Sequence, residues 1–192
     1  MPTSVAEWYS LAGSLQLLEK FSNEDVPANP SEFKTGRHNE KELAVFLYEN
    51  QGVFWWTFEQ GDSDVPPVYV NLDPPPDRWA LCCEKFSDFV FTRLFDFYHW
   101  HDYDLMTLGF GKALEQSVLD LLRSEYISHP VTYSGISETQ YPFSSQNQKI
   151  TIHEHNSKSS WYLSADSPAG VRNLLEKFDD MLNGHHPPIS GS

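Results

Sequence analysis

The spacing of apolar positions divides the first half of the chain into one helix-like and three strand-like segments. Over residues 4–20, Trp8, Leu11, Leu15 and Leu18 recur at helical spacing, with Gly13 interrupting the run. Ser4 is the expected N-cap, with Glu7 completing a capping box three residues on. Residues 22–40 are rich in Asn, Pro, Ser and charge and read as a surface loop. Leu43 to Tyr48 and Val53 to Phe58 are dense in aromatic and β-branched residues and read as the two strands of a hairpin. The turn between them is Glu49-Asn50-Gln51-Gly52, where Gly52 is free to take positive φ. A second turn, Gln60 to Asp64, leads through Pro66-Pro67 into a short strand, Val68 to Val70. Prolines suit the entrance of such a strand. Asn71 to Asp77, with three consecutive prolines, reads as a rigid loop.

The second half alternates more slowly. Residues 84–101 carry Phe86, Val90, Leu94 and Phe97 on one helical face, widened by Phe89 and Phe91. A helix this aromatic is expected to be buried against a sheet. Leu105 to Gly111 reads as a connector, and Leu114 to Tyr126 as a helix with Leu114, Val118, Leu121 and Leu122 inward. Residues 134–148 are polar and weakly patterned. Lys149 to His155 and Trp161 to Ala165 form a second hairpin around Asn156-Ser157-Lys158, with Ile150 and Ile152 alternating against Thr151 and His153. Ser167 caps a C-terminal helix with Pro168 at its first position, and Val171, Leu174, Leu175, Phe178 and Leu182 line its apolar face. Gly184 is the expected stop, and 185–192 the expected flexible tail. The order of elements predicts an α+β fold: one domain over 1–184, with a twisted, mostly antiparallel sheet and helices packed against it.

Composition narrows the function classes. The 27 acidic against 13 basic residues give a net charge of −14. That argues against nucleic acid and anionic membrane as partners, because both need a basic surface. The two cysteines, Cys82 and Cys83, are adjacent and cannot build a disulfide framework. The first residues carry neither a basic nor an apolar leader pattern, and no apolar run reaches transmembrane length. A cytoplasmic protein is expected.

Two blocks of residues resemble the SUKH superfamily, a group that includes yeast cell-wall-assembly regulators and many bacterial toxin-immunity proteins. The first is Val5-Ala6-Glu7-Trp8-Tyr9-Ser10-Leu11-Ala12-Gly13. The second runs from Phe46-Leu47-Tyr48 through the Glu49-Asn50-Gln51-Gly52 turn to Trp55-Trp56, then to Asp64-Val65-Pro66-Pro67-Val68-Tyr69. The resemblance extends over residues 4–182, with residues 134–148 matching no named pattern. It implies an α+β fold and protein binding without catalysis or a cofactor. In the immunity subset, the implied partner is a toxin domain held inactive in the producer's cytoplasm. An intracellular regulator or scaffold of the same superfamily is the alternative.

From Glu42 to Asp77 the chain has seven acids and no Lys or Arg. Glu59, Asp62, Asp64, Asp73 and Asp77 flank turns, where they would steer and pair with a basic partner such as a nuclease toxin. Trp55, Trp56 and Tyr69 are the candidate aromatic anchors beside them. Trp55 and Trp56 are adjacent on a strand, so they cannot both be buried on one face. Trp8, Tyr9, Gly13, Glu49, Asn50, Gln51, Gly52, Pro66 and Pro67 carry the family-like motifs and are read as structural, with Asn50 or Gln51 hydrogen-bonding the turn. His153 and His155 share one strand face, and His99 shares a helix face with Asp102; neither set has further ligands at a familiar spacing, so no metal is expected. A metal-dependent hydrolase built on His153, His155 and nearby acids is the remote alternative. Gly109-Phe110-Gly111-Lys112 lacks phosphate-loop spacing, and no nucleophile elbow or zinc-protease motif occurs. Cys82 and Cys83 are expected to open the aromatic helix as structural thiols.

Overall fold

The computed structural model describes residues 1–11, 25–49, 51–72, 78–101, 106–134 and 138–182. Gly13, Asn50, Asp73, Asp77, Asp102 and the 183–192 tail lie outside the described residues. The architecture is α+β, as the order of elements predicts, with antiparallel strands shared between two sheets. The chain divides into two compact units: residues 1–91 with 133–136, and residues 92–132 with 137–192.

The first unit holds α1 (Thr3–Ser10), β1 (Asp25–Pro27), β2 (Thr35–His38), β3 (Lys41–Glu49), β4 (Trp55–Glu59), β5 (Val68–Asn71), β6 (Trp79–Cys83) and the start of α2 (Phe86–His101). Its sheet runs β1-β3-β4-β5-β6, with β2 also paired to β3. The expected loop over 22–40 therefore contains two strands. β2 turns into β3 through Asn39 and Glu40, both at positive φ (49° and 68°). This is the two-residue geometry that matches strand twist, here without a glycine to signal it. β6 also replaces an expected helix start, because Cys82 and Cys83 end a strand paired with β5.

Capping of α1 differs from expectation as well. Pro2 stands at the N-cap and Ser4 lies inside the helix. The Ser4 N–H donates to the Asp64 carbonyl (3.0 Å), and the Thr3 hydroxyl to the Asp64 carboxylate (2.6 Å). One free amide of the first turn is thus satisfied from a loop distant in sequence rather than by a local capping box.

Cross-strand neighbours share a face, so the register sorts the side chains. Trp56 pairs with Leu47 and Val70, and Phe58 with Ala44 and Val68. A bulge between Val45 and Leu47 adds Phe46 to this cluster, where it meets Trp8, Phe58, Phe86 and Phe89 at ring separations of 5.0–6.2 Å. The opposite face carries Leu43, Val45, Tyr69 and Trp79, with Trp55 packed against them. On this side Trp79 lies against Gly36, whose Cβ position would be 3.4 Å from the indole. Strands β2 and β6 are not neighbours in the hydrogen-bonded order, so the sheet curls to bring them together.

The second unit holds the rest of α2, β7 (Met106–Lys112), α3 (Gln116–Glu125), β8 (Ile127–Ser128), β10 (Glu138–Ser144), β11 (Gln148–His155), β12 (Lys158–Ala165) and α4 (Pro168–Lys177). β9 (Thr132–Tyr133) lies where the two units adjoin in sequence. The sheet order is β7-β12-β11-β10-β8. The expected connector is β7, and the weakly patterned segment contains β10. The Ser167 hydroxyl accepts from the Gly170 N–H as an N-cap, as expected. Val118 and Leu122 of α3 and Val171, Leu174 and Leu175 of α4 close a core on Ile150, Ile152, Trp161 and Leu163. Leu121, expected inward, is 42% exposed, and Leu119 is buried in its place.

Candidate functional site

Gln51 and Gly52 of the E-N-Q-G segment, with Trp55 of the strand that follows it, line one side of a cavity in the first unit. The Gly52 N–H donates to the Glu49 carbonyl (2.8 Å), the Glu49 N–H to the Phe54 carbonyl (2.8 Å), and Gly52 sits at φ 74°. Among the described residues the side chain that braces the turn is Glu49, whose carboxylate accepts from the Val53 N–H (3.3 Å); of the expected pair Asn50 or Gln51, Asn50 lies outside the described residues. A carboxylate is the stronger acceptor for a turn amide, and Gln51 is left exposed at the rim.

Trp55 leaves this turn under tight restraint. Its backbone N–H donates to Asn71 Oδ1 (2.6 Å), Asn71 Nδ2 donates to the Val53 carbonyl (2.9 Å), and Asn71 is only 1% exposed. The indole Nε1–H donates to the Gly52 carbonyl (3.0 Å). The ring stays half-buried, next to Tyr48 with centroids 6.4 Å apart. The Lys34 ammonium lies over it, 4.7 Å from the centroid, within the range of cation–π attraction. Ala28, Asn29, Lys34, Val45, Tyr48, Gln51, Gly52 and Trp55 enclose a cavity of about 430 Å³.

The other candidate residues do not gather here. Trp56, on the opposite face, is 5% exposed against Phe89, and Tyr69 is 7% exposed inside the curled sheet. Neither ring is a surface anchor, because alternation sends Trp56 to the helix side and the curl covers Tyr69. Glu59 lies four residues along β4 from Trp55, about 13 Å away by strand geometry. Its carboxylate accepts from Lys41 Nζ (2.7 Å) and from the Tyr69 hydroxyl (3.2 Å). The Tyr69 phenol is pushed up by burial, with the Glu59 charge adding to it. The Lys41 ammonium is held above its usual range by its hydrogen bond to Glu59. Asp64 is engaged at the start of α1, Pro66 is buried and Pro67 half-buried. Trp8 and Tyr9 are structural: Trp8 packs edge-on against Phe46 and Phe86, and the Tyr9 hydroxyl is shared between the carbonyls of Ala28 (2.9 Å) and Phe46 (2.8 Å).

The acidic run is therefore broken in three dimensions. β2 and its flanks bring bases to it: Arg37 pairs with Glu42 (3.5 Å) and Lys41 with Glu59. Of the described acids between Glu42 and Asp64, Asp62 is the exposed one whose carboxylate has no partner among the described residues. Lys34 and Asn71 were missed from sequence. Lys34 lies in a segment that reads as loop and Asn71 at the start of one that reads as a rigid, proline-rich loop, so no local pattern marks either.

In the second unit, His153 Nδ1 lies 3.4 Å from Glu138 and its ring meets Tyr162 edge-on, while His155 Nε2 contacts Asn156 (2.6 Å). Gln140 donates to Asp96 (2.5 Å). Among the described residues, no group of three or more His, Cys, Asp or Glu side chains is placed to hold a metal. Cys83 donates to the Lys85 carbonyl (3.3 Å), and its thiol is pushed up by its hydrogen bond with Cys82 and by burial. That is the opposite of an activated thiol. No helix among the described residues is long and apolar enough to cross a membrane. No family model matches the chain, and no curated protein or solved structure matches it.

Proposed function

We propose that this chain is a non-enzymatic protein-binding module of the SUKH type, which binds a cognate bacterial toxin domain and holds it inactive in the cytoplasm of the producing cell. The observation that carries this reading is Trp55. Its ring is half-exposed at the mouth of a cavity, beside the turn on which the family resemblance rests. Its backbone and indole are already fixed by Asn71 and Gly52. An aromatic ring ordered before binding loses little conformational freedom on association, which is what makes tryptophan an effective interface anchor. The net charge of −14 supports a basic partner such as a nuclease domain, through faster encounter rather than through specific pairs. Among the described acids from Glu42 to Asp64, Asp62 is the exposed one whose carboxylate is free to meet such a partner.

Co-expression with the toxin domains encoded beside the gene tests the reading, with rescue of growth and co-purification expected for one of them. Trp55→Ala should weaken that complex by about 2 kcal/mol, roughly thirtyfold. Asp62→Lys should slow association and flatten its salt dependence. Absence of rescue by every neighbouring toxin, or full affinity in Trp55→Ala, counts against the proposal.

A further inference from the structure

We infer that the Trp55 cavity is a binding site for a carboxylate on an apolar peptide segment. Its walls are apolar: Ala28, Val45, Tyr48 and Trp55. Its polar lining offers donors. Lys34 contributes an ammonium that meets no carboxylate among the described residues, although Arg37 on β2 and Lys41 at the start of β3 each do. In a chain with 27 acids, a base left over an indole and away from the described carboxylates is available to an incoming anion. Asn29 Oδ1 already accepts from the Ser31 N–H (3.1 Å) and hydroxyl (2.9 Å), so that amide presents its NH₂ group. Gln51 adds a second exposed amide. Glu49, on the same turn, is engaged with the Val53 N–H.

The volume of about 430 Å³ falls within the range of small-ligand pockets. A carboxylate hydrogen-bonded to Lys34 would be partly shielded from water by the indole, which strengthens the charge-assisted bond. The site rests on the protein-binding reading only in that a partner protein would supply the peptide; direct titration examines the cavity alone. A basic partner can still present one C-terminal or side-chain carboxylate here.

The test uses the full chain and follows the Trp55 indole N–H resonance, assigned by its loss in Trp55→Phe. Four probes are titrated: acetyl-Ala-Leu with a free C-terminus, the same peptide amidated, acetyl-Glu-Leu amide, and inorganic phosphate. Millimolar concentrations of the first or third should shift the resonance, and which one acts distinguishes a C-terminal from a side-chain source. The uncharged amide should not. Lys34→Met should weaken the response about tenfold and Lys34→Arg should retain it, with the remaining tryptophan resonances unmoved as proof of folding. Silence from both carboxylate peptides, an equal response to the uncharged amide or to phosphate, or an unchanged response in Lys34→Met would overturn the inference. Rescue of a toxin together with silent peptides would refute the carboxylate site and leave the binding module standing.

Discussion

Asn71 shows how much a single residue can organise. Its buried amide holds the first residue of β4 and the turn before it, through Trp55 and Val53. Asn71→Ala would strand a backbone N–H and a carbonyl, so urea unfolding should show a loss of about 2–3 kcal/mol. The loosened Trp55 should also bind any partner less well than the stability change alone explains. Tyr9 gives a pH signature. Burial holds its phenol above the ordinary value near 10. A group whose folded pKa is raised contributes fully below its unfolded pKa and loses that contribution as pH rises. Stability should therefore decline above about pH 10, where the phenol ionises in the unfolded chain while burial and its hydrogen bonds to Ala28 and Phe46 keep it protonated in the folded one, and Tyr9→Phe should make the decline shallower. Equal slopes for the two proteins between about pH 9 and 11 would show that the hydroxyl is not the group that titrates.

At the level of elements, the hairpins are closed by unusual turns. Asn156 and Ser157 join β11 to β12 at φ 43° and 68°, and Asn39 and Glu40 do the same for β2 and β3. The second residue of each pair is a non-glycine in the left-handed region, which costs about 1 kcal/mol or more. Ser157→Gly creates the favoured Asn-Gly pair and should raise stability by about 0.5–1 kcal/mol, measurable as a higher urea midpoint with unchanged slope. The same chemistry explains why the β2–β3 hairpin is not legible in the sequence. With no Gly at Asn39-Glu40, no breaker separated β2 from β3. In β7 the glycines misled in the other direction. Gly109 and Gly111 look like loop residues, yet they sit in a strand because there is no room for Cβ. At Gly109 it would lie 2.6 Å from Leu182, and at Gly111 it would lie 2.7 Å from the Met181 carbonyl. Pro142 hid β10 in a similar way, since a proline argues against a strand until its neighbours are known.

Across the whole molecule, charge is the dominant feature. A net charge of −14 works against the folded state through self-repulsion, and its local ion pairs are mostly exposed and worth little. Added salt shortens the screening length to about 10 Å at 0.1 M. The thermal midpoint should therefore rise with sodium chloride; a fall would mean that pairs such as Lys41–Glu59 and Lys177–Glu125 outweigh the general repulsion.

The sequence by itself determined the features whose causes are local: the Gly52 turn and its flanking strands, the β11–β12 hairpin, the Ser167-capped helix, and the opposite facing of Trp55 and Trp56. Periodicity, β-branching, capping chemistry and strand alternation each act within a few residues. Only the tertiary structure decided which acids stay free and which aromatic rings stay reachable. The acidic run is uninterrupted along the chain, but the β2–β3 hairpin brings Arg37 and Lys41 onto it, and Asp64 is taken up by α1. Trp55 keeps a half-exposed ring because the sheet curls over Tyr69 and Trp79 while leaving Trp55 beside Lys34. Pairing across a sheet joins residues far apart in sequence, and that separation is why a one-dimensional pattern could not reveal the cavity.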